Sequence, residues 1–318
     1  MVQLYPQQMV AQLEKNIAQV IVGKEQAIRL ALIALICRGH VLIEDVPGVG
    51  KTTLASALAR SLDCTFRRIQ FTPDLMPSDV TGYTMVHFHT GETEFREGAV
   101  MSQIVLADEI NRTSPKTQSA LLEVMEEHQV TVDGVTHPLP QPFMVMATQN
   151  PGEFVGTYPL PEAQMDRFFL RISMGYPTLE QEEDILERYS APTKPMDTLV
   201  PVCTAREVIA MQQQVEQVYS APELRRYVAL LARESRQDPS LQLGMSTRAS
   251  IALLHAAQAL ALLSGRDYVI PEDVSDLLLP VISHRLVLTP DARMKGVSSD
   301  MVLTSILQRV EVPLQVRQ

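Results

Sequence analysis

Residues 40–54, HVLIEDVPGVGKTTL, limit what this chain can fold into more than any other stretch. Val41, Leu42 and Ile43 have the length and apolar character of a short buried strand. They run into a turn carrying Pro47, Gly48, Val49 and Gly50, and Lys51-Thr52-Thr53 then opens a helix. Leu54, Leu58 and Leu62 recur at i, i+4 and i+8 along one face of that helix. In such a strand, glycine turn and helix, successive backbone N–H groups curl around a phosphate, and the helix N-terminus adds partial positive charge. Lys51 then reaches the outer phosphates and the Thr52 hydroxyl ligates Mg²⁺. The usual pattern has glycine at its first position, where this chain has Asp45. An acid fits there if its backbone keeps negative φ, but it brings a carboxylate near a polyanion.

A second run, Ile104-Val105-Leu106-Ala107-Asp108-Glu109, reads as a buried parallel strand that delivers two acids at its C-terminal end. Asp108 is suited to hold Mg²⁺, largely through its water shell, and Glu109 to polarise an attacking water. Strand alternation predicts that the two carboxylates point to opposite sides. A third apolar strand, Phe143–Ala147, ends at Thr148-Gln149-Asn150, where the Asn150 amide is able to hold that water. Alone, Asn before Pro is only a turn signal; the two upstream motifs give it weight.

Two arginines stand where an anion would explain them. Arg167 lies between a short helix, Glu162 to Arg167, and a strand from Phe168 to Met174. It either pairs with Asp166 or Glu162 or reaches from one subunit into the next one's site. Arg248 follows the cap Ser246 into a first helical turn, against the helix dipole, so it either meets an anion or is an ordinary surface arginine. Upstream, the apolar turn at Val20, Ile21, Val22 and Gly23 is either a platform for an adenine ring or a plain core-facing connection. His87 and His89, expected on one side of a strand, lack a third metal ligand nearby and read as packing or surface histidines.

With 318 residues, the chain is long enough for two units. Strands alternate with helices up to about residue 178, and helices follow, with Pro192, Pro195 and Pro201 in a linker. The expected division is 1–190, a nucleotide-binding core with an inserted element near 81–99 and a hairpin near 129–137, and 191–318, a helical unit. The Asp133-Gly134 pair marks the hairpin turn. A net charge of -10 with no basic block argues against gripping a nucleic-acid backbone. The three cysteines, Cys37, Cys64 and Cys203, show no disulfide or zinc spacing. With neither signal peptide nor membrane-length apolar run, a soluble cytoplasmic protein is expected.

Taken together, EDVPGVGKTT, ADEINR, ATQNP, PEAQMDRFF and GMSTRAS resemble the MoxR family of AAA+ ATPases over nearly the whole chain. The resemblance implies an α/β fold: a P-loop NTPase αβα core with a five-stranded parallel sheet in the order 5-1-4-3-2, followed by a helical AAA+ lid domain. It implies ATP and Mg²⁺ as cofactors, and a homo-hexameric ring with ATP between subunits. By that resemblance Lys51 and Thr52 form Walker A, and Asp108 and Glu109 Walker B. Asn150 is sensor 1, Arg167 the arginine finger and Arg248 sensor 2. Arg112 also falls in a family motif, and the acting subunit is left open for both Arg112 and Arg248. The two inserts face the pore in related rings. The implied function is Mg²⁺-dependent ATP hydrolysis that remodels or matures a protein partner, including cofactor insertion, with a von Willebrand factor A domain protein as partner. An ATP-gated binding module and a nucleic-acid motor are the competing readings.

Overall fold

The computed structural model describes residues 5–150 and 156–313. Its centre is a parallel sheet of five strands, β1 (Val41–Glu44), β2 (Phe66–Gln70), β3 (Ile104–Asp108), β4 (Met144–Gln149) and β5 (Leu170–Ile172). Their spatial order is β5-β1-β4-β3-β2, as the resemblance implies. Central strands buried on both faces read as unbroken apolar runs, which is why β1, β3 and β4 stand out in the sequence. Alternate residues feed two cores. Val41, Ile43, Leu106 and Met146 meet the N-terminal helices Pro6–Ile17 and Glu25–Ile36 and the phosphate-loop helix Lys51–Ser61. Leu42, Val105, Ala107 and Val145 meet Leu121, Leu122 and Met125 of helix Pro115–Glu127. That last helix starts as its sequence suggests, with Pro115 in its first turn and Ser114 Oγ accepting the Thr117 N–H at 3.4 Å.

The insert is an antiparallel hairpin, Gly82–Val86 with Thr93–Glu97, and the second hairpin pairs Gln129–Val132 with Val135–Pro138. Asp133 and Gly134 take φ of 49° and 79°, the left-handed pair that a tight hairpin turn requires. His87 and His89 do not lie on a strand, because the first hairpin's strand ends at Val86 and both fall in its turn. His87 Nε2 sits 2.9 Å from the Glu94 carboxylate. Among the described residues no group of three His, Cys, Asp or Glu side chains is placed to hold a metal.

Helices Leu179–Ser190, Ala205–Val215, Pro222–Gln237, Thr247–Leu263 and Pro271–Ile282 form the run of helices expected after residue 178. Helix Ser299–Arg309 belongs to the same run, which a short antiparallel pair, Leu241–Leu243 with Val287–Leu288, interrupts. Strands of three and two residues carry no readable period. The late helices have no separate core: Ala205–Val215 and Thr247–Leu263 both pack on Glu25–Ile36. One apolar cluster therefore runs from Met9 to Val310. Among the described residues no helix is long and apolar enough to cross a membrane.

Candidate functional site

The C-terminal ends of β1, β3 and β4 open onto a cavity of about 450 Å³ lined by Lys51, Thr52, Asp108, Glu109, Thr148 and Asn150. Its floor is the turn between β1 and the helix beginning at Lys51. Gly48 and Gly50 have φ of 84° and 93°, a region that L side chains rarely enter. Around Gly48 there is nothing within 4 Å of an added Cβ, so the backbone twist, not lack of room, demands glycine there. Lys51 Nζ donates to the Asp45 carbonyl at 2.6 Å. Burial holds the Lys51 ammonium below its ordinary pKa, while Asp45, Asp108 and Glu109 pull the other way.

Asp45 keeps the negative φ it needs, since it is absent from the described non-glycine residues with positive φ. Its carboxylate is committed away from the phosphate side. Oδ1 accepts the Val46 N–H at 2.9 Å, and Oδ2 accepts the Met174 and Gly175 N–H groups at 2.5 and 2.7 Å and Ser173 Oγ at 3.3 Å. Charge-assisted bonds of this kind are the strong ones, and here they tie the phosphate turn to the segment after β5.

The two acids do not point to opposite sides. β3 ends at Asp108, and Glu109 turns into the left-handed region at φ 57°, ψ 51°, which breaks the alternation and brings both carboxylates to one cavity. Each has its own partners. Asp108 Oδ1 accepts from Thr148 Oγ1 at 2.6 Å and Oδ2 from Arg68 Nη2 at 2.6 Å. Glu109 Oε2 accepts from Gln70 Nε2 at 2.9 Å and lies 3.3 Å from Arg112 Nε, while its N–H donates to Thr148 Oγ1. Sequence reasoning missed Arg68, Gln70 and Thr148. The available signal was two polar residues at i, i+2 at the end of β2, with Gln70 in register with Asp108.

Asn150 is 8% exposed, and its Oδ1 has no hydrogen-bond partner among the described residues. Pro151, the other half of that turn signal, lies outside them. A hydroxyl at Thr52 and two carboxylates make an oxygen-only donor set, which fits a hard divalent cation such as Mg²⁺.

Next to this cavity, and sharing Gly48, Gly50 and Thr53 with it, lies a more apolar cleft of about 310 Å³. Ile21, Val22 and Val49 line it, with Met174, Pro177 and Tyr189 from the far side. Gly23 is outside the lining; an added Cβ there would meet the side chain of Gln181 at 2.1 Å. An apolar slot continuous with the phosphate turn suits a purine ring.

Arg167 and Arg248 are in neither cleft. They line a third cavity of about 230 Å³, whose lining shares no residue with the phosphate cavity. Both guanidinium groups bind one carboxylate, Glu126: Arg167 Nη2 at 3.1 Å from Oε2, and Arg248 Nη2 on Oε1. Neither pairing that the sequence suggested for Arg167, with Asp166 or Glu162, is the one observed. The partner comes from the helix before the second hairpin, 41 residues upstream in the chain.

Comparison with known proteins agrees with this geometry. The model of the ATPase family associated with various cellular activities (AAA) matches residues 40–170, and that of the AAA lid domain matches 233–306. An uncharacterised Bacillus subtilis protein, YeaC, is 52% identical, with 95% of this chain and 94% of that one covered. Chaperone MoxR1 of Mycobacterium tuberculosis is 42% identical over 94% of this chain and 81% of its own. Protein MoxR of Paracoccus denitrificans is 31% identical over 85% and 86%. Among solved structures, a candidate ATPase from Cytophaga hutchinsonii superposes with a TM-score of 0.90 at 37% identity, covering 96% of each chain. A phosphate turn on a sheet of order 5-1-4-3-2, with relatives that match it from end to end, leaves one assignment: the chain belongs to the MoxR family of AAA+ ATPases and hydrolyses ATP.

Proposed function

We propose that the chain is a chaperone-like remodeller whose ATP sites are completed between subunits of a homo-hexameric ring. One observation carries this reading: Arg167 and Arg248 are held together on Glu126, away from the cavity that holds Lys51 and Glu109. A subunit that carries two outward arginines and a phosphate cavity without them supplies each half of a site to a different neighbour. In that site Thr52 and Asp108 would hold Mg²⁺, whose charge would offset that of the phosphate oxygens. Lys51 and the backbone N–H groups of Pro47 to Thr53, proline excepted, cradle the phosphates, and Ile21 and Val22 flank the adenine. Glu109 takes the proton of the attacking water, and the Asn150 amide orients it. Arg167 and Arg248 of the adjacent subunit stabilise the charge on the transferring phosphoryl group.

Residues 1–190 act as the nucleotide-binding core and 191–318 as the lid that follows nucleotide state. The name of the relative chaperone MoxR1 supports a protein client, as does a net charge of -10 that disfavours nucleic acid. A cytoplasmic partner with a von Willebrand factor A domain, matured by remodelling or cofactor insertion, is part of this reading. The test is a mixing experiment. Arg167→Ala rings should bind ATP but hydrolyse it about 10³-fold more slowly. Adding Lys51→Ala subunits, which lack their own site but keep their arginines, should restore measurable turnover. Intact mixed rings without recovery would reject completion between subunits.

A further inference from the structure

Beneath the two arginine heads lies a second, more buried contact. Asp166 precedes Arg167, and its carboxylate accepts from Ser246 Oγ at 3.0 Å. Ser246 is the cap of helix Thr247–Leu263, where its Oγ also accepts the Ala249 N–H at 2.9 Å, so its hydroxyl is used in both directions. Arg248 stands two residues further on. On the other side, Arg285 Nη1 lies 3.3 Å from Asp166 Oδ1, and Arg285 Nη2 donates to the carbonyls of Phe168 and Phe169 at 2.6 and 3.1 Å. The Arg285 side chain is 3% exposed, and burial brings its pKa down to about 10 against the pull of Asp166.

A buried guanidinium is costly unless its donors are satisfied. Here Nη2 donates to the two residues after Arg167. Nη1, which makes no hydrogen bond among the described residues, faces the carboxylate of the residue before it as an ion pair, so both flanks of that arginine are held. The same Asp166 reaches the cap of the helix that carries Arg248. Thus the two arginines share an anion at their heads, Glu126, and an anion at their bases, Asp166.

We propose that Asp166, Ser246 and Arg285 form a positioning clamp that fixes the Arg167 segment to the first turn of the Arg248 helix, so that both arginines meet the neighbouring subunit's terminal phosphate as one unit. The clamp rests on the reading that both arginines act across the subunit boundary. It also means that anything drawing Arg167 toward a phosphate moves the lid helix with it. A misplacement of about 1 Å at such a site costs on the order of 100-fold in rate, which sets the scale of the expected defect.

The test separates the clamp from helix capping. Asp caps a helix as well as Ser does, so Ser246→Asp keeps the cap but sets a second carboxylate against Asp166. Ser246→Asn keeps the cap and can still donate to Asp166. In assembled rings, Ser246→Asp should lower kcat about 10- to 100-fold with the KM for ATP near wild type, while Ser246→Asn stays within about threefold. Asp166→Asn, which still accepts the Ser246 hydroxyl but loses its charge toward Arg285, should fall between them. Mixing Ser246→Asp with Lys51→Ala subunits should restore turnover, because the intact arginines then serve the intact phosphate cavity. Equal rates for the Asp and Asn variants would overturn the clamp. So would a Ser246→Asp defect that mixing does not relieve while Arg167→Ala is relieved. If Arg167→Ala itself is not relieved, the reading of trans-acting arginines falls, and the clamp with it.

Discussion

The phosphate cavity and the arginine cavity are both lined with opposite charges, yet they are built in contrary ways. In the first, the groups that would face a phosphate are backbone donors and Lys51 on a rigid turn, and the acids are held by Arg68, Gln70 and Thr148 from neighbouring strands. Pieces of four parallel strands converge there, so the geometry is set by the sheet itself. In the second, two long side chains, 31% and 49% exposed, converge on a 38%-exposed glutamate. A half-exposed pair of that kind contributes little to stability because water screens it. A pocket dictated by a sheet is complete before its ligand arrives, whereas side chains resting on an exchangeable carboxylate can be redirected to another anion.

The largest expected effect breaks the first cavity alone. Glu109→Gln preserves the shape of the side chain and one acceptor for Gln70, but it cannot take a proton. Turnover should fall about 10²- to 10⁴-fold with ATP affinity retained. Measured side by side, kcat and nucleotide binding should therefore separate. A variant turning over at the wild-type rate would remove Glu109 from the chemistry and leave the cavity a binding site only.

This contrast also governs how much could be read in advance. Apolar runs ending in Glu44, Asp108 and Gln149 announced the buried strands, and Gly48 and Gly50 announced the turn, because each is a local demand of the backbone. The left-handed turn at Glu109 was not legible, since nothing local marks a glutamate for positive φ; the surrounding strand ends impose it. Glu126 was equally hidden. On its helix it looks like any solvated acid, and only the fold brings it to Arg167 and Arg248. Arg285 lies 118 positions from Arg167, in a 3₁₀ turn with no periodic signal. The strands and the glycine turn were foreseeable, and the contacts that side chains make between elements, Arg68 and Gln70 on the two acids included, were not.

A smaller effect is expected at Asp45, the position where the phosphate turn departs from its usual glycine. Asp45→Gly restores that glycine but leaves the Met174 and Gly175 N–H groups without their acceptor. Losing charge-assisted bonds to buried donors costs about 2 kcal/mol. Because Met174 and Pro177 line the apolar cleft, ATP affinity should weaken roughly tenfold, while turnover at saturation changes little. Asp45→Asn, with one accepting oxygen left, should lose less of both stability and affinity. Thermal unfolding and nucleotide titration would check this; wild-type values for the glycine variant would show that the tie is incidental to the cleft.

The smallest expected effect, and one that needs no mutation, comes from acid acting on groups of the arginine side. Two buried histidines underlie the arginine side, and none lines the phosphate cavity. His40 Nδ1 accepts the Val145 N–H at 3.0 Å, which leaves Nε2 to donate to the Met125 carbonyl at 2.9 Å. A proton on Nδ1 would meet another N–H, and burial, with His128 adding to it, lowers the His40 pKa to about 4. Burial also lowers His284 to about 3, with Arg285 and Arg171 adding to the shift and the Phe168 carbonyl opposing it. Both folded-state values lie below the ordinary 6.5, so the unfolded chain takes up protons that the fold refuses. The stability these neutral rings contribute is full at alkaline pH and declines as pH falls through about 6.5 toward 4. At pH 6 the loss is about 1 kcal/mol for each ring. The midpoint of thermal unfolding should therefore fall as pH is lowered from 8 to 5.5, and neither imidazole should titrate above pH 5 in a proton NMR titration of the folded protein. A histidine at either position titrating near 6.5, or a stability that does not change over that range, would show that burial does not hold these rings neutral.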